Sequence, residues 1–417
     1  MLKSAGIYTA ANMLNAAVPF LLLPILTRYL TPAEYAIVTL FQVMMNGVLP
    51  FVGFNLEGAI NRQFFDRSES SFPAYVSNGF YILISSSLVM LLLFELTASG
   101  LETLTQFPSN WMWAIVCFAF CQKIAEILLT IWRVEDKPIH FGVFRVLRTS
   151  LDLGLSMYFI IVLKRSWEGR IEGQLVAIAF FAIIAVYYLA KGRFFKWEYH
   201  KEYIRGILKF GLPLIPHVLG AVIITYSDRL FITNMIGLKE MGLYSVGYQI
   251  GMVISLLQNS FNQAWQPWLY QKLKDGDFSE KIKIVKMTYV YFIGLILAVL
   301  ALTIIGPWIV EYMTADEYQD ANQFIFWIAL GFAFNGMYKM VGNYLFYLRK
   351  TMTIGVITGA TALINIGLNY IFIKMNGSVG AAQSTAVTFF IQFIIVWFIS
   401  AKYFKMPWLT FNQKNGL

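Results

Sequence analysis

The sequence predicts an all-α polytopic membrane protein, with about twelve transmembrane helices in two lobes of six. Three observations predict it. Hydrophobic residues make up 58% of the 417 and charged residues 13%, where soluble domains run roughly 45–50% and about 25%. The apolar residues gather into uninterrupted runs close to the ~20 residues that a helix needs to cross a hydrocarbon core of ~30 Å. Lysine and arginine concentrate on one set of alternating connections between those runs. In lipid only helices and closed barrels satisfy every backbone amide, and runs this long disfavour the alternating, roughly ten-residue strands of a barrel.

In chain order the expected spans of the first half lie near 7–26, 36–56, 74–96, 111–131, 141–163 and 172–190. The first has no small-residue cleavage site after it and reads as a retained helix. Pro32 suits the start of the second, and 57–73 is an amphipathic or loop segment. The second half opens with the long apolar stretch 209–251, which carries Pro213 and Pro216 near its start. Its spans are expected near 210–236, 242–270, 285–305, 324–346, 353–373 and 380–401. The halves are therefore drawn as 1–205 and 206–417, with a faint echo between LTPAEYAIV (30–38) and LKEMGLYSV (238–246).

Orientation follows from counting bases. With both ends cytoplasmic, the inner connections hold twenty-one Lys and Arg and the outer ones six, the sense of the positive-inside rule. The longest outer connection is expected at 306–323, too short to house a catalytic domain. The formal charge of +9 is explained by this placement and calls for no nucleic acid. Cys117 and Cys121 share one apolar run and read as small packing residues.

Five bases remain within or at the ends of the spans: Lys123, Arg145, Arg148, Arg229 and Lys339. A charge at the centre of a bilayer costs ~2.5–3.5 kcal/mol even on the lenient insertion scale, so such residues face a hydrated interior or a partner. At 1.5 Å per residue Lys123 lies ~18 Å from the outer end of its span. Its partner on one helix face is Glu126, three residues on; Arg148 and Asp152 are four apart and form either a buried strut or part of a binding site. Asp228 and Arg229 are adjacent and project ~100° apart on a helix, so they need not pair with each other. Arg145 sits close enough to the span end to reach the interface, and His217 reads as a neutral, hydrogen-bonded histidine ahead of a proton carrier.

Amides add a second polar surface. Asn12 and Asn15 share a face of the first helix, Gln258, Asn259, Asn262 and Gln266 form a stripe on the eighth, and Asn335 and Asn343 flank Lys339 on the tenth. A stripe of this kind is either helix–helix glue, at ~0.6 kcal/mol per bond, or a wall that donates to and accepts from sugar hydroxyls.

The pieces PFLLLPILTRYLTPAEYA (19–36), GAINRQFF (58–65), GLPLIPHVLGAVIITYSDRLFI (211–232), GLYSVGYQIG (242–251) and GAAQSTAVT (380–388) occur in the order seen in bacterial polysaccharide flippases. The chain resembles the Wzx-type O-antigen and capsule repeat-unit transporters of the multidrug/oligosaccharidyl-lipid/polysaccharide exporter superfamily. Ala36, where the family usually has Gly, is a mild departure. The resemblance implies two six-helix lobes around a central cationic cavity open alternately to either membrane face, in a bacterial cytoplasmic membrane. It implies an undecaprenyl-diphosphate-linked oligosaccharide as cargo and no catalytic residues. Lys123, Arg148, Arg229 and Lys339 are then expected at the diphosphate, with Glu126, Asp152 and Asp228 positioning those bases or carrying a coupling proton or sodium ion. Asn12, Asn15, Gln258, Asn259, Asn262 and Asn335 are the expected sugar contacts.

No cofactor or metal is called for beyond a proton or sodium gradient, and the expected partners are membrane lipid and other membrane proteins of polysaccharide assembly. A drug or metabolite cation antiporter of the same superfamily is the rival reading, but acids would then dominate the interior, and here the bases slightly exceed them. A membrane enzyme of polysaccharide assembly is the third.

Overall fold

In the computed structural model, residues 18, 20–65, 72–275 and 278–408 are described, and they are helical almost throughout. Fifteen helices follow in order: α1 (Phe20–Tyr29), α2 (Pro32–Val48), α3 (Leu56–Phe65), α4 (Phe72–Thr105), α5 (Met112–Val134), α6 (Pro138–Met157), α7 (Trp167–Lys191), α8 (Lys201–Gly211), α9 (Ile215–Met235), α10 (Leu238–Gly251), α11 (Val253–Asp275), α12 (Phe278–Met313), α13 (Asn322–Tyr347), α14 (Thr351–Asn376) and α15 (Ser378–Tyr403). The chain divides into two compact units, residues 1–222 with 237–242, and residues 223–236 with 243–417. Seven of the described helices are long and apolar enough to cross a membrane, and eight if the bent pair α8–α9 is one span. This is a multi-pass membrane protein.

Several expected spans change shape. The helix expected over 36–56 is α2, which stops at Val48; a turn with positive φ at Gly53, Phe54 and Asn55 follows, and then the short amphipathic α3. The span expected over 242–270 is divided at Met252 into α10 and α11. The expected outer connection 306–323 is mostly helix, because α12 runs through Pro307 to Met313 and a 3₁₀ turn covers Asp316–Ala321. α6 gives way at Tyr158 to a π-turn, and its Arg145, Arg148 and Asp152 make it too charged to count among the apolar spans.

Local chemistry sets several boundaries. Thr31 and Glu34 form a reciprocal capping box at the start of α2, with Pro32 at its first turn. Glu34 also accepts from Ser166, the residue before α7. α14 turns sharply into α15 through Gly377, whose φ of 63° favours glycine, and Gly380, where a Cβ would sit 2.0 Å from the Phe372 carbonyl oxygen.

Each unit has one central helix. In the first, α5 packs against α2, α3, α4, α6 and α7; in the second, α13 packs against α11, α12, α14 and α15. Accordingly, 67% of the apolar window of α5 and 61% of that of α13 is buried, against 28–44% for the other apolar spans. Lys123 sits on α5 and Lys339 on α13, so each unit places a lysine on its most enclosed helix.

Candidate functional site

The first unit holds two clusters of charge. Lys123, 4% exposed, donates to Glu57 at 2.7 Å and lies 3.6 Å from Glu126. Glu57 comes from the first turn of α3, and the turn at 53–55 aims that helix back onto α5. The second Glu57 oxygen is buried without a hydrogen-bond partner among the described residues, while Glu126 accepts from Gln122 at 2.8 Å. A buried lysine between two carboxylates is compensated on the spot. In this state it is held by its neighbours and not presented to an open chamber.

Of the two readings of Arg148 and Asp152, the strut between them is not formed, and Asp152 is held by another base. Asp152 pairs with Arg170 at 2.5 Å, and Arg170 also donates to Ser156. The exchange is steric as well as electrostatic. Gly169 and Gly173 flank Arg170 on α7, and a Cβ at Gly173 would stand 2.6 Å from the Ser156 backbone nitrogen. α7 therefore lies against α6 with Arg170 aimed at the acid. Arg148 remains half-buried in the field of Glu126 and Asp152, with no carboxylate within 4 Å among the described residues.

In the second unit Asp228 and Arg229 pair, although their helical phase does not require it. Arg229 is long enough to fold back, donating to Asp228 at 3.0 Å and to the Thr225 carbonyl at 2.8 Å. Asp228 also accepts from the Tyr244 hydroxyl. The guanidinium lies 4.1 Å from the Tyr248 ring centre and within 5.2 Å and 5.8 Å of those of Tyr226 and Tyr244, a cation–π enclosure. Asp228 is 1% and Arg229 4% exposed. Gly247 and Gly251 seat α10 on α13, since a Cβ at either would stand 2.7 Å from Ala321 oxygen or from Ile328. This is the small-residue approach common to membrane helix pairs.

The amide stripe forms a ladder between α11 and α13. Gln258 donates to Asn335 at 3.0 Å, Lys339 to Asn259, and Asn343 to Asn262 at 2.9 Å. Gly336 lets the helices close up, because a Cβ there would stand 3.0 Å from Gln258 Cβ. Helix–helix bonding thus uses the amides that Gln258, Asn259, Asn262 and Asn335 contribute. Lys339 is the exception. It is half-buried, and among the described residues no carboxylate lies within 4 Å of its ammonium. Asn12, Asn15 and the side chain of His217 lie outside the described residues.

Glu57, Arg170, Tyr244 and Tyr248 are central to these clusters and were not singled out by the sequence reading. Arg170 carried a signal, a base with glycines one residue before and three residues after it on a helix; Glu57 carried none beyond being an acid after a glycine-containing turn. Tyr244 and Tyr248 stand four apart, on one helical face.

The profile of the polysaccharide biosynthesis protein family matches residues 1–272, and that of the MatE family matches 213–371. An uncharacterized membrane protein of Haemophilus influenzae is 25% identical over 373 residues, covering 88% of this chain and 89% of its own. The capsular polysaccharide biosynthesis protein CapF of Staphylococcus aureus is 22% identical over 340 residues, with 80% and 82% covered. Among solved structures, an inward-facing multidrug resistance MATE family transporter of the MOP superfamily superimposes with a TM-score of 0.77 at 14% identity, over 93% of this chain and 94% of that one. The lipid II flippase MurJ in an inward closed conformation gives 0.75 at 14% identity, over 96% and 87%. The fold is therefore that of the MOP-superfamily transporters, and with nearly two thirds of its length matched, the chain belongs to the polysaccharide biosynthesis protein family.

Proposed function

We propose that the protein is a flippase that carries undecaprenyl-diphosphate-linked oligosaccharide repeat units from the cytoplasmic to the outer leaflet by alternating access, coupled to a proton or sodium gradient. Twelve spans in two lobes of six, 1–205 and 206–417, with both ends cytoplasmic in a bacterial inner membrane, complete the reading. Other membrane proteins of polysaccharide assembly are its expected neighbours. The observation that carries it is Lys339: a cation on the central helix of its unit with only the neutral Asn259 as hydrogen-bond partner and no carboxylate within 4 Å among the described residues. An unneutralised ammonium at that depth suits an anionic cargo and opposes a cationic one. A diphosphate cannot enter lipid bare, and fixed bases replace its hydration while the polyprenyl tail stays in the bilayer. Lys123, Arg148 and Arg229 are the other proposed headgroup contacts. Lys123 and Arg229 would first have to exchange their carboxylate partners Glu57 and Asp228 for the ligand. Glu126, Asp152 and Asp228 are the proposed coupling or base-positioning acids. Sugar contact by the amides similarly requires the α11–α13 ladder to open.

The test is reconstitution. Vesicles holding the purified protein should move a labelled undecaprenyl-diphosphate glycan across the bilayer under an imposed gradient, and Lys339→Ala should abolish that movement. The MatE match to 213–371 favours a second reading, a cation antiporter. Efflux of an organic cation from the same vesicles, with the glycolipid unmoved, would replace the first reading by the second.

A further inference from the structure

Within the first unit, α3 and α8 frame a cavity of about 580 Å³ that none of the interior clusters touches. Its size falls within the roughly 300–1,000 Å³ of small-molecule sites. Arg62 and Gln63 enter from α3, Tyr75 from the start of α4, and Tyr203 and Lys209 from α8. Neither Arg62 nor Lys209 has a carboxylate within 4 Å among the described residues. One acid, Glu202, shares the lining. Phe210, Pro213 and Leu214 make the remaining wall apolar.

The frame is rigid where it must be. Gly211 brings α8 so close to the turn before α3 that a Cβ would stand 1.8 Å from the Phe54 carbonyl oxygen, and a Cβ on Gly58 would stand 3.2 Å from the Phe210 ring. Tyr75 and Tyr203 meet edge to face at 5.5 Å and tie α4 to α8. Both framing helices lie at the end of the unit where α7 finishes and α4 begins. There the sequence places Lys191, Arg193, Lys196, Lys201, Arg205 and Lys209 within nineteen residues. Lys201, Arg205 and Lys209 recur every four residues along α8, one row of bases on a short helix.

We propose that this cavity receives the phosphate or diphosphate headgroup of a lipid at the basic face of the membrane protein. Arg62 offers a planar fork to phosphoryl oxygens and Lys209 a point charge. Gln63 and the two tyrosine hydroxyls are further donors, and the wall of Phe210, Pro213 and Leu214 borders the first carbons of the chain. The headgroup is either the diphosphate of a polyprenyl carrier or the phosphate of an anionic bilayer lipid. The proposal rests on the flippase reading only for the first source, where the cavity would be the cargo's first contact before the interior bases.

The full chain in detergent is offered undecaprenyl diphosphate or phosphatidylglycerol, with undecaprenol and diacylglycerol as phosphate-free controls, and bound lipid is counted by native mass spectrometry. Arg62→Gln/Lys209→Gln should weaken retention of a phosphorylated lipid about tenfold or more and leave the two controls unchanged. Gly206→Phe tests the same cavity without touching a charge. Gly206 is in its lining and an added Cβ there meets no atom within 4 Å, so a side chain can start there without a clash and the ring should take up room at the cavity. Glu202→Gln should tighten binding.

Loss confined to undecaprenyl diphosphate assigns the cavity to the cargo, and loss confined to phosphatidylglycerol assigns it to the bilayer; either supports a phosphate site. Unchanged retention of both phosphorylated lipids by the double variant and by Gly206→Phe overturns it. Movement of labelled glycolipid by the wild-type protein is scored on the same preparation. Binding sensitive to these variants without movement keeps the cavity and sinks the flippase, whereas movement with insensitive binding does the reverse.

Discussion

At Lys339 the charge is held by one neutral amide, Asn259, within a ladder of amides between α11 and α13. Removing the charge removes a desolvation cost without orphaning an acid, so Lys339→Met should unfold at the same or a higher temperature than the wild type while transport fails. Wild-type transport by that variant would take Lys339 out of the headgroup path. Arg170 gives the opposite pattern. Arg170→Ala leaves Asp152 unpaired and should lower stability by ~2–3 kcal/mol, short of the ~3–5 kcal/mol of a fully enclosed pair because the Asp152 side chain is 23% exposed. The double variant Asp152→Ala/Arg170→Ala should recover most of that loss in a denaturation series. If transport returns with stability the pair is a strut, and if only stability returns Asp152 has a further role in the cycle.

Helix contacts in this protein are decided largely by where a Cβ is missing. On α8, Gly206 faces open space whereas Gly211 lies against the Phe54 carbonyl oxygen at a distance no Cβ tolerates. The two alanine substitutions should therefore differ in sign. Gly206→Ala should stabilise by ~0.5–1 kcal/mol through reduced backbone entropy in the unfolded chain. Gly211→Ala should cost ~3 kcal/mol, since a helix and a turn must part to admit one methyl group. Thermal unfolding of both variants in detergent checks the pair, and equal shifts would mean that α8 is not seated on the turn at 53–55.

For the whole chain the number of crossings fixes the topology. Seven helices, or eight with the bent pair α8–α9, qualify by length and composition, while α2, α6, α10 and α11 are too short, too charged or too polar to qualify by themselves. The twelve-span proposal requires such helices to cross inside protein, with their polar groups satisfied by neighbours. Reporter fusions after residues 108 and 315 should then read outside, and fusions after residues 196 and 350 inside. A cytoplasmic signal at 108 would break that map.

From the sequence alone came the solvent, the all-helical class and the identity of the costly residues, because apolar run length, base placement and charges within the runs are properties of the linear chain. Lys123, Asp152, Arg229 and Lys339 could be named as residues in need of a partner or a purpose. Their partners could not be named. Glu57 reaches Lys123 across 66 residues, Arg170 reaches Asp152 across 18 and Tyr244 reaches Asp228 across 16. Helical phase predicted contacts three or four residues apart, and one of them, Glu126 with Lys123, is present at 3.6 Å. It left Arg148 and Asp152 as either a strut or part of a site, and could not foresee that glycines at 169 and 173 bring a second helix close enough to supply Asp152 with another base. It left the pairing of Asp228 and Arg229 open, and they meet because a long guanidinium can fold back along its own helix. The amides show the same division: their spacing revealed a stripe, but whether it met a helix or a ligand depended on Gly336 and the approach of α11 to α13. A periodic sequence gives the direction of a side chain on its own helix, and which neighbour occupies that direction is set by packing between helices, where a single missing Cβ decides the distance.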